Sequence, residues 1–249
     1  MANKNMKLAG LAAAALALNM GFDVQGAMAQ GLTSSLNNPS NAQKSTAVFF
    51  GADFEPHAYS LDSGFVTALS GDISQDGFLF AGTFAFGESS FKGFGIKSNQ
   101  DSYASSALVG YQSYLDVIYV AVFAGLDWQN NDTKPSTKTD GDKFGLKIEG
   151  DFETTTENAL YFGLGASYTT IFDGYWARGR AGYNMGSMKF GPEVTASGDD
   201  FTDSIRVGGF VSDIEIGMLN VGFAIGYNNQ NNNKRNDGVY GTVELTTEF

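Results

Sequence analysis

The sequence predicts an all-β protein, a closed antiparallel transmembrane β-barrel of about twelve strands in meander order. Three observations lead there. The chain closes on a two-faced strand, with Val239, Val243, Leu245 and Phe249 on one side and Tyr240, Thr242, Glu244, Thr246 and Glu248 on the other. It opens on a basic, then apolar, then small-residue segment. Between the two ends, segments of ten or more residues repeat the same alternation. An apolar face for lipid and a polar face for a lumen is the pattern of an outer-membrane barrel strand.

The first element is a signal peptide over residues 1–29. Lys4 and Lys7 give the basic start, Leu8 to Phe22 the short apolar stretch, and Ala27-Met28-Ala29 the cleavage site before Gln30. A spanning helix would need roughly 20 apolar residues. Residues 30–45 are polar and aperiodic and read as a flexible periplasmic tail. Residues 46–249 are then the barrel, in the outer membrane of a Gram-negative bacterium. Its surroundings would be outer-membrane lipid and, during insertion, the barrel-assembly machinery, with Phe249 as the membrane-insertion signal.

The strands are placed at 46–54, 62–70, 77–93, 103–114, 116–128, 143–153, 158–169, 174–184, 188–198, 203–213, 217–228 and 238–249. The alternation is plain in 116–128, where Ile118, Val120, Val122, Ala124, Leu126 and Trp128 oppose Tyr119, Ala121, Phe123, Gly125 and Asp127. In 143–153, Phe144, Leu146, Ile148 and Phe152 oppose Lys143, Lys147, Glu149 and Asp151. Connections alternate in expected side. The fifth, Gln129 to Asp142, and the eleventh, Asn229 to Asp237, are long and polar and fall outside the cell. The fourth and eighth are tight, as periplasmic turns should be. The seventh is short for an outer loop, and the second is long for a turn.

Composition agrees. Gly is 32 of 249, Pro only 4 and aromatics 14%, while two-faced strands keep the mean hydropathy at −0.14. The net charge of −12 argues against nucleic acid as a partner, since phosphates would be repelled. Cys is absent; barrel strands satisfy their backbone groups through neighbours and need no staples.

The residues give little support for catalysis. His57 is the only histidine. It falls in the first outer loop beside Asp53 and Glu55, and no serine stands near it in a recognisable motif. No HExxH, phosphate-binding loop or thiol is present. The chain is therefore expected to be no enzyme and to carry no metal or cofactor.

The informative set is charged and faces inward. Period-2 counting puts Trp176, Arg178 and Arg180 on the lumen side of one strand. Lys189, Glu193 and Thr195 follow on the next, and Arg206, Phe210 and Ser212 on the one after. An arginine facing lipid near the midplane would cost about 2–4 kcal/mol, so Arg178, Arg180 and Arg206 must face inward in a barrel. With Glu193 they form either a charged permeation or polysaccharide-binding wall, or a structural network in which Glu193 neutralises Arg206. Tyr119, Phe123, Trp176, Phe210 and Tyr240 also face inward. Such rings either stack on the sugars of a glucan or fill a narrow lumen. Glu244 and Glu248 are expected to line the periplasmic end.

One further pattern runs Tyr175-Trp176-Ala177-Arg178-Gly179-Arg180-Ala181-Gly182-Tyr183, then Phe190-Gly191-Pro192-Glu193, Arg206-Val207-Gly208-Gly209-Phe210, Gly226-Tyr227 and Asp237-Gly238-Val239-Tyr240-Gly241-Thr242. With Phe49-Phe50-Gly51-Ala52-Asp53 and Gly110-Tyr111-Gln112, it resembles the S-type cellulose biosynthesis protein (BcsS) family of alphaproteobacteria. The Phe-rich stretch 78–94 departs from that pattern. The resemblance implies a non-enzymatic barrel that assists cellulose biosynthesis or secretion, through export, organisation or anchoring of β-1,4-glucan. Cellulose or other cellulose-synthase components would be its partners. The residues alone also allow a small-solute porin, through the charged wall, or a surface adhesin-like barrel, through the Asn-rich connection 229–237.

Overall fold

A computed structural model describes residues 44–69, 71–93, 96–134, 136, 139–200, 203–230 and 237–249, with only the backbone of 91–93 and 96–97. The expected signal peptide and most of the expected periplasmic tail lie outside these residues. The strands are β1 (Thr46–Glu55), β2 (Ala58–Ala68), β3 (Gly77–Gly93), β4 (Ile96–Leu115), β5 (Ile118–Lys134), β6 (Gly141–Thr154), β7 (Ala159–Thr169), β8 (Gly174–Asn184), β9 (Lys189–Gly198), β10 (Asp203–Ile216), β11 (Leu219–Gln230) and β12 (Gly238–Glu248). Each pairs antiparallel with its neighbours in chain order, and β12 returns to β1 to close the barrel. The seam runs from Ala47 opposite Glu248 to Phe54 opposite Gly241. Ser45 and Thr46 continue it, both donating backbone N–H to the Phe249 carbonyl at 3.0 Å.

The alternation that predicts the strands also sets their faces. On β12, Tyr240, Thr242, Glu244, Thr246 and Glu248 are buried, while Val239 on the other face is exposed. On β5, Tyr119, Ala121 and Phe123 are buried, and Val122 and Leu126 are exposed. The outer face is thus the apolar one, the reverse of a water-soluble protein and the arrangement a bilayer demands.

Strand length divides the barrel. β1, β2, β7, β8, β9 and β12 have 10 or 11 residues, the length that spans a bilayer at a tilt near 45°. β3, β4 and β5 have 17, 20 and 17. Twenty residues extend about 66 Å, so tilted β4 far exceeds an apolar band about 25 Å tall. The sequence reading begins β4 at 103 and ends β5 at 128, but the ladder continues from Tyr103↔Asn130 to Asn99↔Lys134. Neither face of that extension meets lipid, so no apolar alternation marks it. Most of the expected fifth loop is therefore strand. The first outer connection is likewise shorter than expected. It is only Pro56-His57, with His57 at φ +70°, and β2 starts at Ala58.

The second connection, described at 69 and 71–76, is not a simple turn. It folds back so that Ile73 is fully buried. Gln112 Nε2 donates to the carbonyls of Ile73 (2.6 Å) and Gln75 (2.7 Å), and Tyr114 OH donates to Ile73 O at 3.0 Å. Ile73 N–H donates to Lys44 O at 2.8 Å. Asp72 accepts from Ser74 N and Oγ at 2.9 and 2.7 Å, which holds its carboxyl below the ordinary aspartate range. The turn thereby covers part of the end where β1 begins and β12 finishes, the periplasmic end by the topology of such barrels.

Candidate functional site

The lumen has two unlike walls. Along β1 to β5 the inward groups nearer the chain ends are apolar: Ala47, Phe49, Val66, Ala68, Leu79, Ala81, Leu108, Tyr119, Ala121 and Phe123, with Ile73 packed among them. Glycine makes the fit possible, since a Cβ at Gly110 would stand 2.3 Å from the Phe123 ring. From β6 round to β1 most of the buried charged groups are found, on β6, β8, β9, β10, β12 and β1, with Asp62 on β2 and Asp127 on β5 the buried carboxylates outside that arc among the described residues.

Four of the residues picked from the sequence sit in that ionic wall, but their pairing differs from the expected one. Arg180 lies directly opposite Glu193 in the β8–β9 ladder, and its Nε donates to Glu193 Oε2 at 2.5 Å. Arg206 lies opposite Thr195 instead. It reaches past β11 and β12 to β1, donating to Asp53 Oδ2 at 2.8 Å and also to Glu55. The expected Glu193–Arg206 pair is therefore replaced by Glu193–Arg180, because cross-strand register places Arg180 nearer. Tyr240 OH completes Glu193 at 3.1 Å, and Asn228 Nδ2 donates to Glu55 at 2.9 Å.

Glu244 has a larger part than an end-lining residue. It stands opposite Gly51, well inside the strand. Arg178 Nη1 donates to its Oε1 at 2.6 Å, and Arg180 donates to its Oε2 at 3.2 Å. Four strand steps of twelve separate β8 from β12, so these bonds span a third of the circumference and cross the lumen as a chord. All of the side chains involved are less than a tenth exposed. Breaking a buried pair by removing one partner leaves an uncompensated charge, which is strongly destabilising. Glu248, by contrast, does lie at the periplasmic end, where Lys44 donates to it at 2.9 Å.

Sequence reasoning missed a second interlock. Lys189 on β9 pairs with Glu153 on β6, and with Asp213 at 2.7 Å. Simple alternation from Arg206 through Ser212 turns Asp213 outward. A bulge between Val211 and Ile214 breaks the count, and Asp213 at φ +60° turns inward beside Ser212. Bulges re-aim side chains in this way, and their only sequence trace is a charge on the wrong parity.

The five aromatics picked from the sequence all face the lumen, each in contact with its filling. Phe210 lies under the Arg180 guanidinium at 4.7 Å, Tyr240 under Arg206 at 5.2 Å, and Trp176 beside Arg178 at 5.5 Å. Tyr119 packs against Tyr114 with ring centroids 5.1 Å apart. Gly208 and Gly226 leave room for Tyr240, whose phenolic oxygen would lie 2.6 Å from a Cβ at Gly208 and whose ring would lie 2.7 Å from one at Gly226. His57 stays in its turn; Asp53 and Glu55 beside it point inward to Arg206 instead. Among the described residues no group of three or more His, Asp or Glu side chains is arranged to hold a metal.

The wall chemistry, a barrel bridged by its own ion pairs, can be set beside known proteins. The β domain of a Bordetella autotransporter, BrkA, matches with a TM-score of 0.50 at 10% identity, over 84% of this chain and 100% of that one. The KdgM porin matches at 0.44 and 10%, over 82% and 99%. The translocator domain of the autotransporter NalP from Neisseria meningitidis matches at 0.36 and 12%, over 91% and 95%. The BrkA likeness shows the outer-membrane barrel fold. No curated protein sequence matches the chain. The family model "Cellulose biosynthesis protein BcsS" matches residues 47–249, the whole barrel from the second residue of β1 to Phe249, and the chain belongs to that family.

Proposed function

We propose that this protein is a non-enzymatic outer-membrane barrel that assists cellulose production by organising or anchoring β-1,4-glucan at the cell surface. It does not conduct the polymer. The observation that carries this reading is the chord from Arg178 and Arg180 to Glu244. A threading glucan would have to displace it, together with the Arg206–Asp53 bridge. The small-solute porin draws on the same charged wall, but each of its arginines is engaged by a carboxylate of the same barrel. Cellulose-synthase components are the natural partners, and Phe249 serves as the signal read by the barrel-assembly machinery. Deleting the gene in a cellulose-producing host should lower matrix-retained cellulose, measured by dye binding and by glucose released with cellulase. Unchanged retention would overturn the proposal.

A further inference from the structure

The inward residues of β3 from Leu79 to Ser89, and of β4 from Ser98 to Gln112, include no charged side chain. This is unusual in a lumen whose other wall is ionic. Toward the outer end the neutral wall turns from apolar to amide and hydroxyl. Ser89, Ser98, Gln100, Ser102, Asn131 and Thr133 all face inward there, and all are buried. They are partly wired together. Thr133 Oγ1 donates to Gln100 Oε1 at 2.8 Å, and Gln100 Nε2 donates to Ser102 Oγ at 2.9 Å and Asn131 Oδ1 at 3.2 Å. The chain fixes the Asn131 amide with its oxygen engaged and its Nδ2 turned away. Among the described residues, Asn131 Nδ2 and Ser89 Oγ have no hydrogen-bond partner. Buried polar atoms are nearly always paired, so two orphans in one patch mark a place built to meet something else.

We infer that this patch at the outer end of β3–β5 is the seat of a neutral, polyhydroxylated chain, which on the function proposed above is the β-1,4-glucan itself. Sugar hydroxyls donate and accept, as do Ser, Thr, Asn and Gln. A neutral wall lets them exchange water for protein partners without desolvating a formal charge. Its β3 and β4 strands offer no counter-ion to a carboxylated or sulfated glycan, and the buried Asp127 on β5 would repel one; among the described residues a cation enters this face at Lys143 on β6, opposite Gln129. The arginine wall has the opposite character, and its own carboxylates hold its guanidiniums. The patch lies where the strands outrun the bilayer, so a glucan reaching it from outside need not pass the ion-pair chord.

The test uses the full-length mature barrel in detergent, titrated calorimetrically with cellohexaose and with a carboxylated hexasaccharide of the same length. Cellohexaose should bind, and the carboxylated chain should bind at least about tenfold more weakly. The Asn131→Asp variant keeps the side-chain shape but removes the orphan donor and adds a charge. It should weaken cellohexaose binding about tenfold, the scale of one buried hydrogen bond. Ser89→Ala should weaken it less. Glu88→Gln, on the outer face, should leave it unchanged. Heat-modifiable gel migration confirms that each variant is folded. Absence of cellohexaose binding by folded protein, equal binding of the carboxylated chain, or indifference to Asn131→Asp each overturns the inference. If binding fails while gene deletion still lowers matrix cellulose, this seat is wrong and the proposed function stands. If binding holds while deletion changes nothing, the reverse is true.

Discussion

The two walls of this barrel solve one problem in different ways. Both are antiparallel ladders with one face in lipid, and both must fill a narrow interior. The β1–β5 wall does so near its periplasmic end with Phe49, Leu79, Leu108, Tyr119 and Phe123, sealed by Ile73 from a turn. The wall from β6 to β12 does so with guanidiniums and carboxylates bonded across the lumen. The apolar wall gains from burial and tolerates trimming in proportion to volume. The ionic wall is held by a few pairs, each of which fails abruptly when one partner is lost. The difference also assigns roles: the paired wall locks the barrel, and the uncharged inner face of β3 and β4 is left to meet a neutral ligand.

That contrast can be broken at its strongest point first. Glu244→Gln removes the carboxylate shared by Arg178 and Arg180 and should cost about 3–5 kcal/mol, read as a lower urea midpoint for unfolding from detergent. A loss under 1 kcal/mol would mean that the chord does not hold the barrel. On the other wall, Ile73→Ala should cost about 2–5 kcal/mol, with the cost falling if a larger residue fills the space. The smallest effect is at the rim. The Asp72 carboxyl is held below its ordinary value of 3.8 by Ser74. A depressed folded-state pKa contributes stability above the unfolded value, lost as pH falls through the folded one. The turn should therefore loosen only below about pH 4, seen as faster proteolysis at 69–76, and Asp72→Asn should abolish that dependence.

The same contrast explains what was legible in the sequence. The strands that touch lipid announced themselves, because the bilayer forces bulky apolar residues onto alternate positions. Arg178, Arg180, Glu193 and Arg206 were legible for the same reason, since lipid excludes them from the outer face. Partners were not, because pairing across a lumen depends on closure and register that no local pattern carries. Glu244 was read as inward but not as the keystone. Asp213 was hidden by a bulge, Ile73 by a turn that folds inward, and the outer extension of β4 and β5 by the absence of lipid on either side.

The central claim is that the barrel's own ion pairs bridge its lumen. Conductance of the purified protein in a planar bilayer tests it most directly. The account predicts a silent membrane for the native chain, with current appearing only when Glu244 is replaced. A steady ohmic conductance from the native protein, lowered by Arg178→Gln or Arg206→Gln, would contradict it.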